Sequence, residues 1–346
     1  MQVEGEAHAA TLSNRPRRLE LFRAPAFRTI HAMPAFARAT PSRITLRHAW
    51  LLPFGLALAG CRTPEAAQPT LPTAPEVRTA AGTLAATLEC LAYDPAQHEA
   101  TCKVYHHVYA PDGRLLTKGL GGEFPHHRGL FVGWNQLTCA GATFDFWHCR
   151  KGESLRFQGF RSASELGMAE DQGWQVAAVS WCRGDGTALL DERRATRAVD
   201  LGEGVVALHV HCVLSALGDP VALRGDPQHS GHQFRALQDF APAAAAKVRY
   251  LRPAGAVAHA DDVWTECDWL AAVLPLATGP VTVLRVEGAG NPTPQRGSTR
   301  GYGRFGATFA ATVVLGTPLR LSWVYVVANG ERTADWCAEM AGKLRS

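Results

Sequence analysis

The sequence predicts an all-β protein, a large antiparallel β-sandwich with a short C-terminal helix. Three observations lead there. Residues 205–215 alternate, with Val206, Leu208, Val210, Cys212 and Leu214 on one face and Ala207, His209, His211 and Val213 on the other. Residues 319–327 do the same: Leu319, Leu321, Trp323, Tyr325 and Val327 share a face behind the turn Gly316-Thr317-Pro318. Turn signals then recur along the chain, at Pro111-Asp112-Gly113, Gly184-Asp185-Gly186, Gly202-Glu203-Gly204 and Gly218-Asp219-Pro220. Many short strands separated this way favour a sandwich.

The elements follow in order. Met33 opens a stretch holding Arg38, Arg43, Arg47 and His48, then the apolar run 49–60, then Cys61. Basic residues, a short apolar core and small residues before a cysteine predict a lipoprotein signal, with Met33 as the start and residues 1–32 as a mis-started extension. The apolar run is about 12 residues, too short for the roughly 20 of a membrane span. Cleavage before Cys61 would leave that thiol as the lipid anchor; an ordinary signal peptide with a chance cysteine is the alternative. Residues 61–77 are rich in Pro, Thr and Ala and predict a tether. Residues 78–346 form one domain. Further strands are expected at 84–91, 101–109, 128–135, 155–162, 173–182, 193–200, 246–252, 281–286 and 304–314. The helix is expected over 332–344, where Trp336, Met340 and Leu344 make one apolar stripe.

Charge excludes one class of partner. The whole chain has 35 Lys and Arg against 31 Asp and Glu, but residues 1–60 carry eight Arg and three Glu of these. The remainder is close to neutral, which gives no footprint for nucleic acid. After Cys61 come cysteines 90, 102, 139, 149, 182, 212, 267 and 337. Cys90/Cys102 and Cys139/Cys149 are candidate local disulfides; the alternative is that they are small buried residues.

Four clusters carry chemistry. Glu123, His126, His127, Arg128 and Trp134 lie in a loop leading into a strand, where His126 and His127 should point to opposite faces if the strand begins near His127. Asp145, Trp147 and His148 form a second group. Asp226, His229, His232 and Arg235 form a third, and Asn291-Pro292 with Tyr302-Gly303-Arg304 a fourth. Imidazoles act as acid, base or metal ligand near neutral pH. Arginines hold hydroxyls or developing negative charge.

These stretches resemble a bacterial family of unknown activity labelled "methane oxygenase PmoA-like". The similarity is carried by Phe124-Pro125-His126-His127-Arg128-Gly129, by Asp145-Phe146-Trp147, and by His229-Ser230-Gly231-His232-Gln233-Phe234-Arg235, and it covers about 100–330. The resemblance implies a secreted protein associated with sugar processing. It also puts more weight on His229 and Arg235 than on His232, where relatives are expected to hold an apolar residue. Methane oxidation itself is not expected, because the mature sequence has no helical membrane span.

The expected function is therefore a lipid-anchored, cell-envelope enzyme acting on a saccharide or glycoside, as a hydrolase, lyase or epimerase. Its catalytic residues would be His127, His229, Arg128, Arg235, His126 and Glu123. Trp134, Asp145, Trp147, His148, Asp226 and Arg304 would bind substrate. No cofactor is required, but a divalent metal fits, with His126, His148 and His232 as candidate ligands; His209 and His211, two apart on one strand face, are another local pair. The alternative is a non-catalytic carbohydrate-binding or scaffold lipoprotein. Convergence of the segments 126–128, 145–148 and 229–235 on one concave site separates the two.

Overall fold

A computed structural model describes residues 75–237 and 248–345. The expected signal, Cys61 and most of the expected tether lie outside the described residues. Glu76 and Val77, the tether's last residues but one strand's first, already pair in the sheet.

The architecture is the expected antiparallel sandwich. Nine strands make one sheet, in the spatial order Glu76–Arg78, Leu84–Glu89, Tyr105–Val108, Leu130–Trp134, Ser230–Arg235, Arg304–Thr308, Arg296–Arg300, Val263–Thr265 and Val257–His259. Eight make the facing sheet: Arg249–Leu251, Trp269–Leu274, Val281–Glu287, Leu319–Asn329, Val205–Ala216, Ala188–Gly202, Gln175–Cys182 and Ser154–Arg161. A four-stranded sheet of Ala311–Val313, Val221–Arg224, Gln136–Cys139 and Ala142–Phe144 adjoins them. The alternation read in 205–215 sets the packing. Leu208, Val210, Cys212 and Leu214 are buried in one core with Leu130, Val132, Phe234 and Phe305 of the facing sheet. Removing this apolar area from water is the main stabilising term, at about 25 cal/mol per Å².

The helix Ala334–Leu344 begins on Thr333, whose hydroxyl accepts from the Trp336 amide at 3.2 Å and satisfies one of the free N–H groups of the first turn. It docks on the outer face of the eight-stranded sheet. Cys337 and Ala341 are its buried residues there, with Trp336, Met340 and Leu344 flanking them half-buried. Among the described residues no helix is long and apolar enough to cross a membrane.

Several boundaries differ from expectation. His98–Thr101 is a helical turn, so the strand expected from 101 starts at Tyr105. The run 304–314 splits into Arg304–Thr308 and Ala311–Val313, which belong to different sheets. The most consequential difference is Ser230–Arg235, read from the sequence as loop and found as a central strand. Its Gly231 hides the signal: at φ +79° a Cβ there would sit 2.0 Å from the Ala307 carbonyl oxygen, so only glycine fits so close to the neighbouring strand. The expected disulfides are absent. All eight described cysteines are free thiols, and Cys139 faces the Asp219 carbonyl while Cys149 faces Cys102. Closeness in sequence does not fix which way a thiol points.

Candidate metal centre

Two short turns with one design hold the core of the site. In the first, Asp145 Oδ1 accepts from the backbone amides of Trp147 (3.0 Å) and His148 (2.8 Å), and Oδ2 takes the Nδ1–H of His148 at 2.7 Å. In the second, Asp226 Oδ1 accepts from the amides of Gln228 (2.9 Å) and His229 (3.0 Å) and lies 2.9 Å from His229 Nδ1. Asn135 Nδ2 holds the other oxygen of Asp226 at 2.6 Å. The carboxylate therefore shapes the turn and orients the ring three residues on. With Nδ1–H given to a carboxylate, each imidazole presents the lone pair of Nε2 outward.

His126 completes the group. It sits in a turn before the strand Leu130–Trp134, not in the strand, so the expected alternation of His126 and His127 does not apply. Their rings are 4.3 Å apart and join the same cluster. Gly129 fixes this entry: at φ +49° it packs so tightly that a Cβ would lie 2.2 Å from the His106 carbonyl oxygen. His126 lies 4.6 Å from His148 and 5.5 Å from His229 between ring centres, and His148 lies 4.7 Å from His229. One nitrogen from each of His126, His148 and His229 falls within 4.8 Å of the others, close enough for the three to share one metal ion.

Beneath the three rings the site is fastened from inside. Lys103 is buried, and its Nζ donates to the carbonyls of His126, at 2.7 Å, and of Trp147. One ammonium thus ties the loop of His126 to the turn of His148. Burial pushes its pKa down to about 8, with Cys149 opposing and Arg128 adding to the shift. His127 stacks on His229 at 5.2 Å and is buried. Burial, and next the neighbouring charges of His126 and Arg304, hold it far below the usual imidazole range. His126 is pushed down to about 3, first by burial and then by His148 and Lys103. For Asp145 and Asp226 burial alone would raise the pKa, but the hydrogen bonds from their histidines and backbone amides hold both below the ordinary carboxylate value. The site thus keeps His126 and His127 neutral beside ionised carboxylates.

The remaining expected residues fall elsewhere or play other parts. His232 is not a ligand: it points into the sandwich, 4.2 Å from Trp323, with Nδ1 3.2 Å from the Tyr325 hydroxyl. His229, just outside the strand, takes its place in the group. Trp134 (0% exposed) and Trp147 (1%) are core and offer no face to a sugar. Arg128 bonds the carbonyls of Pro125 (3.0 Å) and Glu99 (2.7 Å), so it holds loops. Arg304 is spent on Gln233 Oε1 and Ser298 Oγ, both at 2.9 Å, inside the sheet. Arg235 bonds the Ala236 and Tyr302 carbonyls and lies 4.4 Å over the Tyr302 ring. Glu123 is exposed, and its carbonyl accepts from Lys118 Nζ at 2.6 Å. His209 and His211 lie on the outer face of the eight-stranded sheet, where His211 meets Trp174, and join no other donors.

Three contributors, Phe124, Tyr302 and Lys103, were not among the expected site residues. Phe124 (38% exposed) and half-buried Tyr302 pack at 4.8 Å and form an aromatic rim, Phe124 reaching both His126 and His127. Lys103 carries no sequence signal, since a lone lysine in an apolar run reads as surface. The metal group did have one: Asp145-Phe-Trp-His148 and Asp226-Pro-Gln-His229 share the spacing Asp-x-x-His. Beside His229 and Asp226 opens a cleft of about 550 Å³, lined further by Gln228, His259, Asp261 and Arg296. A larger cleft of about 690 Å³, lined by Glu287, Asn291 and Gln295, shares none of these residues. Only the smaller one touches the three-histidine group, through His229.

The chain belongs to a family of unknown function (DUF6807), whose model matches residues 83–341. That description carries no methane-oxygenase activity. No curated protein matches the sequence. Among solved structures the chain is similar to the heparan sulfate lyase HepC of Pedobacter heparinus, with 8% identity and a TM-score of 0.33, covering 72% of this chain and 34% of that one. A second polysaccharide lyase matches at 13% identity and a TM-score of 0.33, covering 70% and 32%. The chain thus spans about a third of each lyase's length. A superposition this loose carries no activity from one chain to another.

Proposed function

We propose that this chain is a metal-dependent enzyme acting on saccharides, with His126, His148 and His229 holding one divalent cation. The observation that carries the reading is the pair of Asp-x-x-His turns. Each carboxylate fixes the tautomer and the angle of its imidazole, the arrangement that metal-ligating histidines require. A loop-binding histidine needs no such backing. Three imidazole nitrogens suit zinc among biological cations and leave a position open.

A cation held there supplies Lewis acidity and lowers the pKa of a bound water. The chain's own residues do the rest. Asp145 and Asp226 keep the two rings aimed, and Lys103 keeps the two backbones that carry His126 and His148 together. His127, neutral and stacked on His229, packs the inner side of the cluster. Phe124 and Tyr302 offer an apolar face for the C–H surface of a sugar ring. The adjoining cleft, within the usual range of small-molecule sites and lined by polar side chains, suits a ligand with many hydroxyls. The products expected are those of hydrolysis or elimination at a glycosidic bond. A binding module needs none of this convergence of donors, which is why we favour catalysis.

The full-length protein, stripped with chelator and titrated with zinc, is expected to bind about one equivalent per chain and to gain glycoside-cleaving activity with it. His148→Ala and His229→Ala are expected to lose both while His232→Gln keeps the metal. Equal zinc binding by all three variants would reject the site. Export and lipidation at Cys61 belong to the same reading: Cys61→Ser is expected to move the protein from the membrane fraction to the soluble one, and an unchanged distribution would remove the anchor.

A further inference from the structure

The buried thiols give a second assignment. Cys102 ends the helical turn His98–Thr101, and Cys149 ends the Asp145–His148 turn, its amide bonded to the Asp145 carbonyl at 2.9 Å. Their side chains face each other, and Cys102 Sγ also lies 3.7 Å from the Glu99 carbonyl. Both are buried. The two segments are held in place on either side of the thiols. His98 Nε2 lies 2.5 Å from the Cys149 carbonyl, the Cys102 amide donates to the His98 carbonyl at 2.9 Å, and Lys103 reaches the Trp147 carbonyl. Other described cysteines face different groups: Cys139, Cys182 and Cys267 face carbonyls, and Cys212 faces Glu192. Among the described residues, Cys102 and Cys149 are thus the two cysteines whose side chains contact each other, on segments that His98 ties together.

We propose that Cys102 and Cys149 form a disulfide that fastens the turn carrying His148 to the neighbouring helical turn. Cys149 has φ +60°, a left-handed conformation that a side chain other than glycine rarely adopts. Its amide bond to the Asp145 carbonyl and the His98 ring on its own carbonyl hold it there, and a crosslink adds a covalent tie to the same turn. The oxidant is a small disulfide. The Cys102 thiolate attacks it, forming a mixed disulfide and releasing one thiolate. Cys149 then attacks the Cys102 sulfur and releases the second. Two electrons pass to the oxidant, and the two thiol protons end on the two released thiolates. Burial of both sulfurs places this exchange during folding, before the sandwich closes over them. The crosslink bridges segments 47 positions apart, a loop long enough for it to restrict the unfolded chain appreciably.

The fastening role, though not the crosslink itself, rests on the metal reading above. The test uses the full-length protein refolded in glutathione disulfide, then unfolded in the presence of an alkylating agent and digested without reduction. The expected product is one peptide pair joining Cys102 to Cys149, two hydrogens lighter than its reduced parts. Alkylation of both residues, or pairing of Cys90 with Cys102 or of Cys139 with Cys149, overturns the proposal. With glutathione removed, the oxidised protein is expected to bind zinc several-fold more tightly than the reduced protein. The double variant Cys102→Ser/Cys149→Ser is expected to match the reduced protein in either buffer. Equal affinity in the oxidised and reduced proteins overturns the fastening role. A crosslinked chain that binds no zinc upholds the disulfide and rejects the metal centre, so the two failures are distinguishable.

Discussion

Asp145→Asn and Asp226→Asn are each expected to weaken metal binding by roughly 10–100-fold, and the double variant by more than either. Asparagine keeps the oxygen that accepts from the two backbone amides of each turn, so the turns persist. What it removes is the negative charge facing the Nδ1–H of His148 or His229. The imidazole then loses basicity at Nε2 and the fixed angle at which Nε2 points. Competition against a chromophoric chelator measures the affinity, and thermal unfolding of the metal-free variants checks that the fold is unchanged. Wild-type affinity in a folded variant would show that the carboxylates only shape the turns.

Acid is expected to destabilise the protein well before its carboxylates titrate. His106 and His232 are both buried in the sandwich. Burial, and after it the positive charge of Arg194, pushes His106 down to about 3, only partly offset by its contact with Gln175. Burial, then Arg285 and Arg194, holds His232 well below the ordinary value of 6.5. The unfolded chain takes up these protons near pH 6.5 and the folded chain does not. Stability is therefore complete above about pH 6.5 and falls as the pH drops below it, by about 1.4 kcal/mol per pH unit for each group. The metal-free protein at pH 5 is expected to unfold at clearly lower urea than at pH 7, with a loss on the order of 3–4 kcal/mol from these two residues. His106→Gln and His232→Gln are expected to flatten the dependence. Equal midpoints at pH 7 and 5 in the wild type would refute the account.

The sandwich was legible because its central strands alternate cleanly. Val205–Ala216 and Leu319–Asn329 each bury one face and leave much of the other half-buried, and that period shows in the sequence. Trp269–Leu274 escaped notice because it is buried on both faces and shows no alternation. Ser230–Arg235 escaped for a different reason: all six residues are buried, yet Ser, Gly, His, Gln and Arg are among them. Several of its polar groups meet other buried partners, as when Gln233 Oε1 meets Arg304, and a sequence does not display that pairing. The same gap explains the site. The clusters around 126, 145 and 226 were visible as concentrations of polar residues in loops. Which rings would meet depended on where the strand begins: His229 just precedes it and joins the group, while His232 lies within it and packs against Trp323. The large aromatics misled in turn: Trp134 and Trp147 look like sugar platforms by type, but their size makes them the natural filling for the core.

His126, His148 and His229 stand on three segments that come together only when the strand Ser230–Arg235 has inserted between Leu130–Trp134 and Arg304–Thr308. The order of synthesis therefore matters to the chemistry. A growing chain that has delivered residues 126 and 148 holds two of the three rings and no place for the third. Ser230–Arg235 gains its second neighbour only once residues 304–308 have emerged, so the complete donor set arises after them. A premature stop anywhere before that point leaves no partly working centre. Metal capture would then report that the whole sandwich has assembled, and would guard against reactive chemistry on an unfinished product.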